Sequence, residues 1–241
     1  MHPLKKLFQS ATGYWLHKAE TLPPGTNLLI DIQKKIRCPL PAVIFDVGAN
    51  TGQTVAWLRG FLPDATIYSF EPVVSTFKEL ERNVKQDKKV LTGQLAFGDR
   101  EEKKMIRVFE QHSALNSLKA ELMNQSVHAK EEEITVTTID SYCKTHAISK
   151  IDFLKIDTEG YELKVLEGAS KMLSEKRVSL IYCEVGFQQN NKRNTPLASL
   201  IEWLEPYDYY FFGLYQLVSD GWKDGHYFGN ALFVQKDKYC I

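Results

Sequence analysis

The sequence predicts an α/β fold: a mostly parallel sheet with helices on both faces, closed by an antiparallel C-terminal hairpin. Three observations predict it. Strand-like apolar runs alternate with amphipathic stretches from Val43 onward, the runs are apolar on both faces, and the last two are joined by a turn-rich segment. Such alternation forces a parallel sheet, because each new strand is entered from the same end through a helical crossover.

The first forty residues stand apart. Leu4, Leu7, Phe8, Ala11, Trp15, Leu16 and Ala19 recur at helical spacing with Lys5, Lys6, His17 and Lys18 among them, so a basic amphipathic helix is expected before the break at Thr21-Leu22-Pro23-Pro24-Gly25. Residues 1–40 therefore read as a helical extension and 41–241 as the main domain. The extension fits a lid or a contact with a twin subunit, and its basic face also fits peripheral contact with an anionic membrane.

Strands are expected at 43–47, 66–70, 90–96, 151–157 and 178–184, each mostly apolar as a doubly buried strand should be. Helices are expected at 52–61, 73–86, 161–174 and 196–205; in the third, Leu163, Leu166, Ala169, Met172 and Leu173 form one stripe. Two additions interrupt the alternation. One, at 105–138, carries a strand pair; the other pairs 209–218 with 230–235 through Ser219-Asp220-Gly221-Trp222-Lys223-Asp224-Gly225. Five parallel strands and this hairpin make a seven-stranded sheet.

With 241 residues, 44% of them apolar and 12% aromatic, the chain can build one sizeable core. Lys+Arg and Asp+Glu both number 30, so there is no global electrostatic footprint for nucleic acid, which is not expected as a partner. Cys38, Cys143, Cys183 and Cys240 form no C-x-x-C pair and read as reduced thiols, which points to a cytoplasmic protein. No apolar run has the length of a membrane span, and the N-terminus lacks the continuous apolar stretch of a signal peptide.

Chemistry is expected beyond the carboxyl ends of the parallel strands. Residues 43–52 read V-I-F-D-V-G-A-N-T-G, and Glu71-Pro72 closes the second run. A dinucleotide fingerprint needs G-x-G-x-x-G so that backbone N–H groups approach a pyrophosphate. Here Gly48 and Gly52 enclose Ala49, Asn50 and Thr51, which would crowd one. The wider turn suits a ligand with one amino-acid carboxylate and one nucleoside, S-adenosylmethionine, with the Glu71 carboxylate accepting from the ribose diol. The expected cofactor shell is Asp46, Gly48, Asn50, Thr51, Gly52, Gln53 and Thr54 around the methionine end, then Glu71, Pro72, Ala96 and Asp157. Glycines serving packing alone are the plain alternative.

Lys155 lies in the apolar run 151–157, and a buried ammonium requires a nearby carboxylate: Asp46, Asp157 or Glu159. A structural ion pair explains it as well as a catalytic role does. Glu184 ends the next strand in the same way.

Together with F-E-P (70–72), A-F-G-D (96–99), T-I-D (138–140) and above all I-D-F-L-K-I-D-T-E-G-Y-E-L-K-V-L-E-G-A (151–169), the glycine turn resembles the FkbM family of S-adenosylmethionine-dependent methyltransferases. The resemblance runs from about Val43 to Gln235. It implies the Rossmann-like class I methyltransferase fold and O-methylation of hydroxyls on sugars, glycans and polyketide or other secondary metabolites. Phe97 stands where the family commonly has a small aliphatic residue, and the family's serine-leucine signature appears as Asn116-Ser117-Leu118.

Methyl transfer from a sulfonium is an in-line displacement, so positioning of the acceptor oxygen should dominate, helped by a base for the hydroxyl proton. Asp157 is the first candidate base, with Lys155 holding its geometry; His112, in Gln111-His112-Ser113, is the second. Asp157, Glu159 and Glu184 also form an oxygen set of the kind that holds Mg²⁺, although strand-end acids equally serve to fix cofactor and loops. A small-molecule or glycan acceptor should be met by the insertion at 105–133 and the amide-rich loop at 187–194. Tyr207, Tyr209, Tyr210, Phe211, Phe212 and Tyr215 supply rings for stacking on a sugar, with at least half expected in the core. A nicotinamide-dependent oxidoreductase and a non-catalytic cofactor-binding scaffold are the rival readings.

Overall fold

The computed structural model describes residues 3–14, 17–18, 21–108, 130–189, 191, 193–219 and 225–238. Helix α1 (Pro3–Thr12) is followed, after a connection, by the single turn α2 (Leu28–Ile30), which runs into a π-helix (Asp31–Ile36). The chain then alternates as β1 (Val43–Val47), α3 (Gln53–Arg59), β2 (Thr66–Phe70), α4 (Val74–Val84) and β3 (Val90–Gly93). A small excursion follows: β4 (Ala96–Phe97), β5 (Glu102–Val108) and β6 (Lys130–Thr137). Next come α5 (Ile139–Thr145), β7 (Ile151–Ile156), α6 (Glu162–Glu167), α7 (Ser170–Ser174), β8 (Val178–Gly186) and α8 (Leu197–Leu204). The chain closes with β9 (Tyr209–Ser219) and β10 (His226–Gln235).

The main sheet has seven strands in the order β3-β2-β1-β7-β8-β10-β9. The first five are parallel, and β10 runs antiparallel to both β8 and β9. This is the Rossmann-like class I methyltransferase architecture. Alternation along the strands divides the core in two. Phe45, Phe70 and Leu154 face one layer with Cys143 of α5, Leu166 of α6, Leu173 of α7 and Leu200 of α8. Their neighbours Ile44, Ile67 and Phe153 face the other with Leu58 of α3, Leu80 of α4 and Ile32 of the π-helix.

Besides α1, which ends at Thr12 short of the expected run to Ala19, and β10, which starts at His226 ahead of the expected 230, three elements depart from the expected bounds. The run at 90–96 splits at Gly93: β3 stays in the main sheet, while β4 pairs with β6 in a three-stranded sheet ordered β4-β6-β5. The helix at 161–174 breaks at Gly168, where a Cβ would lie 2.0 Å from the Gly98 carbonyl oxygen. Beyond the break, the Asp140 carboxylate accepts from the Lys171 and Met172 amides at 2.9 Å each and starts α7.

The third is the π-helix. Leu28, Ile32, Ile36 and Cys38 are buried in the same layer as Ile44 and Leu58. Buried Asp31 accepts from Gly25 N and Tyr215 Oη, both at 2.8 Å, and pairs with Lys35 Nζ at 2.9 Å, tying this segment to β9. The aromatic stripe of β9 is largely structural. Tyr209 and Tyr215 are buried, and Tyr207, Tyr210, Phe211 and Phe212 pack against the two layers. Among the described residues, Cys38, Cys143 and Cys183 are buried and form no disulfide, and Cys38 Sγ donates to the Lys238 carbonyl at 3.0 Å. Among the described residues, no helix is long and apolar enough to cross a membrane.

Candidate active site

A cavity of about 380 Å³ opens at the carboxyl ends of β1, β2 and β7. The turn after β1 forms its floor. Gly48 and Gly52 adopt φ of 77° and 96°, and Asn50 sits at 48°. The Gly48 and Ala49 amides both donate to the Phe70 carbonyl, at 3.0 and 2.9 Å, so the turn is held against the tip of β2. A Cβ at Gly48 would lie 1.9 Å from the Asp157 carbonyl oxygen, so no other residue fits there.

Glu71 leaves β2 into the cavity wall. Its carboxylate accepts from the Asn50 amide at 3.1 Å and from the Val73 amide at 3.0 Å, joining the glycine turn to the start of α4. Burial pushes this carboxyl up to about 7, against the lowering effect of the Val73 and Asn50 amides.

On the opposite side, strand register places Asp46 of β1 beside Lys155 of β7. The Lys155 ammonium lies 3.2 Å from Asp46 Oδ1, 3.2 Å from Asp157 Oδ2 and 3.2 Å from the Gly48 carbonyl oxygen. Burial alone would lower the lysine, but the charges of Asp157 and Asp46 more than reverse this and hold it above its ordinary value. Burial is also the main influence on Asp46, which is raised in spite of Lys155. Asp46 is fully buried, whereas Asp157 opens to the cavity.

The block after β7 is a built loop. Glu162 is fully buried and accepts from the Thr158 amide and hydroxyl at 3.1 Å each, from the Gly160 amide at 2.9 Å, and from the Thr195 hydroxyl. Clamped this way, Glu159 sits at φ 54° and lines the cavity. Arg193 engages it from the loop after β8, Nε donating to Oε2 and Nη2 to Oε1. Burial raises Glu159 to about 7, opposed by the Arg193 guanidinium. Glu184 lines the same wall and accepts from Asn194 Nδ2; burial, with Asp157, Glu159 and Glu162 nearby, pushes it up.

Of the expected site residues, Gly48, Asn50, Glu71, Pro72, Ala96, Asp157, Glu159 and Glu184 meet at this cavity. Asp46 and Lys155 stand behind Asp157. Thr51, Gly52, Gln53 and Thr54 are not among the lining residues: Gly52 begins α3, the Thr51 carbonyl accepts from Asn83 Nδ2 at 2.8 Å, and Thr54 lies near enough to Asp46 to act against the rise of its carboxyl. His112 and Ser117 lie outside the described residues. In the amide-rich loop, Asn191 and Asn194 are turned inward. Asn191 Oδ1 accepts from the Arg193 and Asn194 amides, and its Nδ2 donates to Asn194 Oδ1 at 2.8 Å.

The site also contains residues that the sequence did not single out: Arg193, Tyr161, Val73, Leu95 and Phe228. Tyr161 carries Lys104 of β5 over its ring, 4.6 Å from the centroid, with Nζ 3.1 Å from the hydroxyl. Its position inside the 151–169 block was the one available signal. Phe97 touches the cavity at its edge but is 1% exposed, packed among Phe45, Phe70 and Tyr142.

Comparison with known proteins places this geometry among relatives. A curated fungal protein named "Methyltransferase 1", from Beauveria bassiana (strain ARSEF 2860), is 24% identical over 149 residues, 54% of this chain and 59% of that relative. This chain thus spans about three fifths of that relative's length. Among solved structures, the METTL16 methyltransferase domain aligns over 96% of this chain and 77% of its own at 15% identity and a TM-score of 0.48. M. capricolum TrmK with S-adenosyl-homocysteine covers 80% of this chain and 62% of its own at 12% identity and a TM-score of 0.42. The family model "Methyltransferase FkbM domain" matches residues 46–211. With that match running from the buried aspartate of β1 into β9, across all of the cavity lining but Phe228, the chain belongs to the FkbM methyltransferase domain family.

Proposed function

We propose that this chain is an S-adenosylmethionine-dependent O-methyltransferase acting on a hydroxyl of a sugar, glycan or other hydroxylated metabolite. The observation that carries the reading is the cavity itself: the glycine turn forms its floor, Glu71 stands on one side and Asp157 on the other. When bound, the cofactor supplies a methyl group on a sulfonium, already activated for in-line displacement. Glu71 would accept from the ribose hydroxyls, and the backbone around Gly48 and Asn50 would meet the methionine end. Pro72 and Ala96 would wall the nucleoside.

Asp157 is the proposed base for the acceptor hydroxyl, and Lys155 holds its carboxylate at 3.2 Å in a fixed direction. A divalent cation fits this wall poorly. Asp157, Glu159 and Glu184 bring oxygens within 4.8 Å of one another, but Arg193 takes both oxygens of Glu159 and Asn194 takes Glu184. A guanidinium inside the cluster opposes a second cation, so no step is assigned to a metal. Arg193 offsets Glu159 and Asn194 is a neutral amide, so carboxyls outnumber cations along this wall; an anionic acceptor would be repelled, which favours a neutral hydroxyl compound. Zero net charge gives no support to a nucleic-acid acceptor, and buried thiols outside any disulfide suit the cytoplasm.

Calorimetry with S-adenosylmethionine, S-adenosylhomocysteine and NAD tests the cofactor assignment. Saturable binding of the first two is expected. Binding of NAD alone would overturn it.

A further inference from the structure

We infer that α1 is a membrane-surface anchor, lying in the plane of a lipid bilayer rich in anionic headgroups. Leu4, Leu7, Phe8 and Ala11 follow one another at the i, i+3, i+4, i+7 spacing and so share one face of the helix. That face is uncovered: Leu4 is 68% exposed, Leu7 69% and Phe8 40%. On α4, by contrast, Leu80 and Val84 at such a spacing point into a core layer. Leaving three such side chains in water has a cost that only an occupant offsets.

The flanking charge selects the occupant. Lys5 borders the apolar face of α1 and Lys6 stands opposite it, Lys18 follows, and no acidic residue precedes Glu20 in the chain. Tyr14, 72% exposed just past the helix, is an aromatic of the kind that settles at headgroup depth. Apolar side chains on one face, with lysines at its border and opposite it, suit partial insertion with the cations at the phosphates. A second copy of the chain suits the helix less well. Ten residues span roughly 15 Å, and three or four side chains supply only a fraction of the ~800 Å² per partner that a stable interface uses. Facing lysines would also repel across a two-fold axis.

The test uses the full chain and sedimentation with sucrose-loaded vesicles, of phosphatidylcholine alone or mixed with phosphatidylglycerol. Binding to the anionic vesicles should be at least roughly tenfold tighter and should fall as salt screens the lysines. The double variant Lys5→Glu, Lys6→Glu should erase the preference. Leu7→Glu, Phe8→Glu should lose both vesicle types, with an unchanged thermal midpoint because these side chains touch no core. Absence of binding to anionic vesicles at low salt overturns the inference, as does equal binding to both compositions. Sedimentation velocity without lipid gives the remaining outcome: a dimer that Leu7→Glu, Phe8→Glu converts to monomer would make the face a protein interface and sink the anchor.

Discussion

Replacing Lys155 with Met removes the only cation placed between Asp46 and Asp157 among the described residues and leaves a side chain of similar length. Asp46 is fully buried, and the ammonium stands 3.2 Å from it. Removing one partner of a buried pair costs about 3–5 kcal/mol, because the other charge stays desolvated and unpaired. Asp157 is partly open to solvent, so most of that loss comes from Asp46. At about 2–4 °C per kcal/mol for a chain of this size, the thermal midpoint should fall by roughly 6–20 °C.

Two further readings separate this account from a mere packing defect. The Asp46→Asn, Lys155→Met double variant should regain most of the loss, since a neutral amide needs no counter-ion. The pH dependence has a definite sign. Asp46 is raised above its ordinary 3.8, so its contribution to stability is present below that value and is lost as pH rises through the folded value. Without Lys155 the folded value climbs further, and the cost of Lys155→Met should shrink as pH falls from about 7 toward about 4. Urea unfolding followed by circular dichroism measures all three. A loss below about 1 kcal/mol, or no recovery in the double variant, would refute the reasoning. If Lys155 also positions Asp157, the double variant should regain stability and still turn over slowly.

Glu71→Ala should weaken cofactor binding by about 2–3 kcal/mol, as read by calorimetry, because the ribose hydroxyls would have no carboxylate to donate to. Since the carboxyl sits near 7 and the ribose prefers its ionised form, cofactor affinity should rise with pH through about 7 and level off above it; Glu71→Gln should flatten the profile. Folding stability has the opposite sign at this residue, present below 4.5 and lost as pH rises through about 7. Asp157→Asn should cut turnover by roughly 10²-fold or more with little change in cofactor affinity, and activity should persist in EDTA. Gly48→Ala should cost at least about 2 kcal/mol in urea unfolding, from the positive φ and the 1.9 Å approach to Asp157 O together.

The parallel strands were legible because doubly buried strands are continuous apolar runs, and β1 and β2 carry no competing pattern. The places of Gly48, Glu71 and Asp157 at the cavity were legible because loops at the carboxyl ends of parallel strands converge there. What escaped depends on contacts distant in the chain. At the break, Gly98 leaves no room for a side chain on residue 168 and Asp140 bonds both ends, its amide to the Gly168 carbonyl and its carboxylate to α7; nothing local in Leu166-Glu167-Gly168-Ala169 forbids one long helix. The π-helix is tied down by Tyr215 donating to Asp31, a partner far along the sequence. In the loop after β8, composition pointed to the amides, but Asn191 and Asn194 are spent on holding the turn, and Arg193 is the residue that reaches the cavity. Its neighbours in sequence do not mark it.

Gly168 against Gly98, with Asp140 N donating to the Gly168 carbonyl at 3.0 Å, joins three separated stretches of the recognisable signature at a point outside the cavity lining. Glu162 likewise spends its oxygens inside the protein. Much of the stretch by which this family is recognised is therefore joinery: it welds the small sheet to the large one and braces a loop. A descendant that had lost its chemistry would still be obliged to keep those letters in order to fold, so their presence vouches for the frame, and Asp157 with Glu71 must vouch for the reaction.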